Sequence, residues 1–159
     1  SEKILIVLDC SGSFAEEGKS YLQRYIANTL KGLSLFSPFD KIIFQFYIWN
    51  TSILQKKKGV KFEFQGRASF EALAKFIEEC EDNSKILLCS DGNFTMEEIN
   101  IARKILEGRK VVLLPVSVGA DADNSNLGEL STNKKQVFMS SDLMTAVHKL
   151  CFQSNLINF

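Results

Sequence analysis

The chain has 159 residues, 45% of them hydrophobic and 24% charged, with nineteen basic side chains balanced by nineteen acidic ones. That length suits a single domain over 1–159 with a full buried core, and the zero net charge leaves no global field to attract nucleic acid or an anionic membrane. No segment approaches the roughly twenty apolar residues of a membrane span, and nothing at the start reads as a signal peptide.

Ile4 to Leu8 is an unbroken apolar run, the pattern of a strand buried on both faces. It runs straight into Asp9, Ser11 and Ser13, either oxygen ligands of a site or a plain βα turn in which Ser11 or Ser13 caps the next helix. A helix follows from about Ala15 to Phe36, with Leu22, Ile26, Leu30 and Leu33 on its apolar face and Lys19 and Ser20 on its surface. Ser37-Pro38 stops it. Lys41 to Trp49, rich in β-branched and aromatic residues, reads as the second strand. Asn50 to Ser52 turn the chain, and Ile53-Leu54 with Val60 to Phe64 predict a short hairpin around Lys56 to Gly59.

Gly66 opens a loop, and Ser69 can cap a helix whose core face is Phe70, Leu73, Ile77 and Cys80. Ile86 to Cys89 is a short apolar strand that also ends in an acid, in Ser90-Asp91-Gly92. Thr95 to Glu98 spells a capping box, opening a helix that continues to Gly108. Val111 to Val118 is a further buried strand. A polar loop, Ala120 to Asn126, leads to a helical Leu127 to Leu130, a small strand from Gln136 to Met139, and a closing helix from Asp142 to Cys151. Strands alternating with helices predict right-handed crossovers: an α/β, doubly wound, Rossmann-like fold with a mainly parallel sheet and helices on both faces.

The four cysteines, Cys10, Cys80, Cys89 and Cys151, are scattered without a CxxC pair, and the single histidine, His148, falls in the last helix. This is not a zinc-site pattern. Free cysteines at core positions favour a reducing compartment, so the expected location is the cytoplasm.

Two central strands thus deliver carboxylates, Asp9 and Asp91, to one edge of the sheet, the edge where open α/β sheets place their sites. Two close carboxylates repel, and a cation between them removes that penalty. Asp9, Ser11 and Ser13 offer hard oxygen atoms of the kind Mg2+ accepts. With neutral hydroxyl co-ligands the ion keeps residual positive charge, so an open position favours an Asp or Glu from another protein.

Asp9-Cys10-Ser11-Gly12-Ser13 matches the DxSxS signature of von Willebrand factor A (vWA) domains and their metal-ion-dependent adhesion site (MIDAS). Ser90-Asp91-Gly92 resembles the later T/S-D-G of that family, Gly66 to Leu73 its glycine-rich loop and helix, and Val116 to Gly119 with Leu127 and Leu130 its closing pattern. The likeness runs in order from about Ile4 to Cys151. It implies a vWA fold, a bound Mg2+ (or Mn2+ or Ca2+), and recognition in place of catalysis. Ser11 and Ser13 would touch the ion, with Asp9 and Asp91 acting directly or through water. The family threonine falls on Ala68, which has no oxygen; the neighbouring Ser69 either supplies its hydroxyl to the ion or caps its helix. Phe14, Asn93 and Arg67 flank the motif as candidate partner contacts, although Phe14 can equally pack onto the first helix. Intracellular relatives often work beside AAA+ ATPases, so such a complex is one expected partner class. The alternative is the same fold as a scaffold without a functional ion.

Enzyme readings fare worse. Gly12 to Ser20 resembles a phosphate-binding P-loop, but five residues rather than four separate Gly12 from Gly18-Lys19-Ser20, and Glu16 and Glu17 would face the phosphates. An aspartate-nucleophile phosphatase needs a second acid where Ser11 stands. Asp121 to Ser125 hints at a calcium loop but lacks the glycine and glutamate that such loops use.

Overall fold

The computed structural model describes residues 2–16, 18–58 and 61–159. Strands β1 (Glu2–Asp9), β2 (Ile42–Trp49), β3 (Ile53–Gln55), β4 (Lys85–Ser90), β5 (Val112–Ser117) and β6 (Phe138–Met139) form one sheet in the order β3-β2-β1-β4-β5-β6. All pairings are parallel except that of β2 with β3. The helices are α1 (Lys19–Leu33), α2 (Phe70–Glu79), α3 (Met96–Glu107), α4 (Asn124–Leu130) and α5 (Leu143–Phe152).

Alternation along β1 explains why its run is apolar throughout. Ile4, Ile6 and Leu8 face a core shared with Ile26 and Leu30 of α1 and Val147 and Leu150 of α5. Val7 faces the opposite core, with Leu73 and Ile77 of α2 and Ile99 and Leu106 of α3. Each such side chain contributes about 1.5–3 kcal/mol when fully buried, so both helical layers are held by the same central strands. The chain leaves β1 toward β2 on one side and returns to β4 on the other, which puts the topological switch point between β1 and β4.

Three expected elements fall elsewhere. The hairpin forms one turn earlier: β3 folds back on β2 in the register Trp49↔Ile53 and Tyr47↔Gln55, closed by the Asn50 N–H donating to the Ser52 carbonyl (2.9 Å). Its anticipated second arm makes no strand over 61–65, Gly59 and Val60 lying outside the described residues. That arm is drawn away toward the Asp9–Ser13 turn, where the Gln65 N–H donates to the Cys10 carbonyl and the Gly12 N–H to the Gly66 carbonyl. The first helix begins at Lys19, not Ala15, because Gly12–Ala15 form a 3-10 turn and Gly18 takes a left-handed φ of 75°. Finally, α4 starts at Asn124, inside the anticipated loop, since the Asp123 carboxylate accepts from the Asn126 N–H (3.0 Å) and caps it.

The Thr95 capping box is present: Thr95 Oγ1 accepts from the Glu98 N–H (3.2 Å) while the Glu98 carboxylate accepts from the Thr95 N–H (2.9 Å). Thr95→Ala is expected to lower stability by about 1 kcal/mol, read as a shift of the urea midpoint with unchanged slope. No shift would show that α3 is held by packing alone.

Candidate functional site

β1 and β4 are parallel neighbours, with Leu8 opposite Cys89, so Asp9 and Asp91 emerge at the same end of the sheet. Asp9 is wholly buried. Its Oδ1 accepts from the Ser11 N–H (3.0 Å) and the Ser11 hydroxyl (2.7 Å), and its Oδ2 from the Ser90 hydroxyl (2.7 Å). Burial pushes its pKa up to about 6; the hydrogen bonds from Ser90 and Ser11 oppose the rise, and the Asp91 charge adds to it. Ser11 and Ser13 place their hydroxyl oxygens 3.3 Å apart. Together with Asp91 and Ala68 they line a small cleft of about 180 Å³.

The Gly66 loop reaches this cleft because its backbone is stitched to the Asp9–Ser13 turn and because Gly66 takes a φ of 68°; a Cβ there would meet the Thr51 methyl at 2.9 Å. Below the loop, Trp49 is fully buried, donates its indole N–H to the Ser69 carbonyl (2.8 Å), and packs edge-on against Phe70. Ala68 is therefore held facing the cleft with only a methyl group. The Ser69 hydroxyl accepts from the Ala72 N–H (3.1 Å) as the cap of α2, so of the two roles open to Ser69 the structure shows the capping one.

Of the two roles open to Phe14 the structure shows packing, and the expected place of Lys19 is corrected. Phe14 is fully buried in the core beneath α1 and presents nothing to a partner, because the 3-10 turn points its ring inward. Lys19 is not surface: it is 3% exposed, and its ammonium lies 3.0 Å from Asp91 Oδ2 and 2.8 Å from the Asp121 carboxylate. Burial alone would lower the Lys19 pKa, but the hydrogen bonds to Asp121 and Asp91 outweigh it and hold the pKa above its ordinary value. The same contact holds the Asp121 carboxyl below the usual range. Asn93 is exposed at the rim and donates its N–H to Asp91 Oδ1 (3.1 Å). Arg67 is exposed and ion-paired with Glu98, its Nε 3.1 Å from Oε2.

Gln23, one turn after Lys19, was not anticipated at all. Its buried amide donates to the carbonyls of Asp9 and Cys89 (both 2.9 Å) and ties the ends of β1 and β4 together. The signal was the buried stripe of α1 itself: Lys19 and Gln23 continue the spacing of Ile26 and Leu30 toward the helix start.

No protein-family model matches the sequence, and no curated protein matches it either. Solved structures do. An aerotolerance-related membrane protein from Bacteroides fragilis NCTC 9343 superposes with a TM-score of 0.68 at 9% identity, over 95% of this chain and 99% of that one. The SpRpn10 VWA domain gives 0.58 at 12% identity, over 91% and 94%. This chain has the vWA fold. Proximal thread matrix protein 1 from the mussel byssus, in a structure with a zinc-occupied MIDAS motif, gives 0.63 at 14% identity; this chain spans 46% of that longer one. Identities this low speak to the fold alone.

Within this vWA fold the donor set agrees in kind with a hard divalent cation: the hydroxyls of Ser11 and Ser13, the Asp91 carboxylate, and Asp9 behind them. Among the described residues the buried Asp9 carboxylate has hydroxyl and N–H donors from Ser11 and Ser90 and no cation among its hydrogen-bond partners. Among the described residues no three His, Cys, Asp or Glu side chains cluster to hold a metal, so a site here rests on hydroxyls and two acids. Ala68 brings no side-chain oxygen to the cleft. His148, exposed on α5 against Phe152, plays no part in the cleft.

Proposed function

We propose that this vWA-fold domain is a metal-ion-dependent recognition module: a divalent cation, Mg2+ first among candidates, held by Ser11, Ser13 and Asp91 with Asp9 in support, offers an open position to an Asp or Glu of a partner protein. The observation that carries the reading is the convergence of both serine hydroxyls and Asp91 on one cleft at the switch point of the sheet. Asn93 and Arg67 stand exposed at its rim, where a partner would touch them. Recognition rather than catalysis suits a cleft whose DxSxS turn has Ser11 where a phosphatase would carry its acid.

A second reading, a scaffold without an ion, draws support from Ala68 and from the Lys19 ammonium already on Asp91. The two separate in one experiment. Ser13 is exposed, and among the described residues its hydroxyl has one hydrogen-bond partner, Ser11, so Ser13→Ala is expected to leave the fold intact. The wild type is expected to bind one Mn2+ by calorimetry, and Ser13→Ala to bind it at least about tenfold more weakly. An array of Asp- and Glu-containing peptides should then retain the wild type in Mg2+ and release it in EDTA. Absence of Mn2+ binding, or peptide capture that ignores EDTA, would favour the scaffold.

A further inference from the structure

Lys19 is the one buried cation among the described residues, and several features are built around it. Its ammonium bridges Asp91 (3.0 Å) and Asp121 (2.8 Å) and lies 5.6 Å from the centre of the Phe14 ring. Its stem runs over Gly119, whose φ is 97°; a Cβ there would sit 2.9 Å from Lys19 Cε and 3.3 Å from Cγ. A residue at the first turn of a helix is thus given an acid at either side, an aromatic wall and a glycine floor. A buried ammonium needs paired carboxylates to persist.

We propose that Lys19 is a tethered cation that competes with the divalent ion for Asp91, with Asp121 as its second seat. This rests on the reading of the cleft as a divalent-ion site. Both Asp91 oxygens are engaged, Oδ2 by Lys19 and Oδ1 by the Asn93 N–H. An ion arriving beside Ser11 and Ser13 would meet a carboxylate already paired with an ammonium, which repels it. Asp121 decides whether the exchange can happen. Its side chain is 46% exposed and already bonded to Lys19, so the ammonium can release Asp91 without becoming an unpaired buried charge. Ion loading would hand Lys19 from Asp91 to Asp121, which keeps the ammonium paired throughout the exchange.

Calorimetric Mn2+ titration tests this on the wild type, Lys19→Met, Lys19→Gln, Asp121→Asn and the Lys19→Met/Asp121→Asn double variant. Lys19→Gln keeps a donor for Asp91 and carries the test should the Met variant not fold. Removing the ammonium is expected to tighten Mn2+ binding on the order of tenfold or more. Asp121→Asn alone is expected to weaken it severalfold, and to have almost no effect in the Lys19→Met background, because it acts through Lys19. Equal or weaker binding by both Lys19 variants, with the wild type still binding, overturns the competition while leaving the ion site standing. An Asp121→Asn effect of the same size in both backgrounds overturns the second seat, since it would be general surface charge. No Mn2+ binding by any variant overturns the ion reading and this inference together.

Discussion

Asp9→Asn is expected to raise the melting temperature of the ion-free protein at pH 8 while abolishing its response to Mg2+. The folded-state pKa of Asp9 is raised from an ordinary 3.8 to about 6. At about 1.4 kcal/mol per tenfold change in proton affinity, keeping this buried carboxylate charged costs about 3 kcal/mol above pH 6. The sign follows from linkage. Between pH 3.8 and about 6 the folded state binds the proton that the unfolded chain has released, so the contribution of this group is greatest below 3.8. It declines as pH rises through that window and is flat above it. Asparagine is neutral throughout. Its amide oxygen can accept the two bonds from Ser11, and its NH2 can donate to the Ser90 hydroxyl, which accepts as readily as it donates. For a chain of this length the gain corresponds to roughly 6–12 °C at pH 8, shrinking as pH falls toward 4. The measurement is a pair of melting curves at each pH in EDTA. An asparagine variant no more stable than the wild type at pH 8 would show that Asp9 carries no uncompensated charge.

Truncating Trp49 should be the most damaging single change near the cleft. Its ring is fully buried between Phe70 and Phe94, at centroid distances of 5.2 and 5.6 Å, and its N–H holds the Ser69 carbonyl. Trp49→Ala is expected to cost about 4 kcal/mol in urea denaturation and to weaken Mn2+ binding as well, because the Gly66–Ser69 loop loses its floor. Trp49→Phe keeps most of the apolar volume and removes the hydrogen bond, so about 1 kcal/mol beyond the packing change is expected. A loss below 1 kcal/mol for the alanine variant would mean that the loop is held by its backbone bonds to Cys10, Gly12 and Asn50 without the Trp49 ring.

The acids and hydroxyls at the strand tips are legible in the sequence to a different degree from the charges paired with them. Asp9, Ser11, Ser13 and Asp91 could be read directly, because each ends an apolar run whose period marks a buried strand, and parallel strands must end together at one edge. The layered fold followed from the same alternation. The capping box at Thr95 was local chemistry and therefore visible. Pairing of β3 was not, since Ile53–Gln55 could fold back on β2 or forward on 60–64, and the backbone bonds from Gln65 and Gly12 decided the matter.

By itself, the order of residues determined the central strands, their sequence, and the acids and hydroxyls at their tips, since these depend on periodicity and on neighbours a few positions apart. Only the folded molecule decided that Lys19 lies inside, between carboxylates 72 and 102 positions away, that Phe14 turns into the core, and that Ser69 spends its hydroxyl on α2. Long-range charge pairing leaves no local pattern: an ammonium at a helix start looks the same whether water or two aspartates surround it.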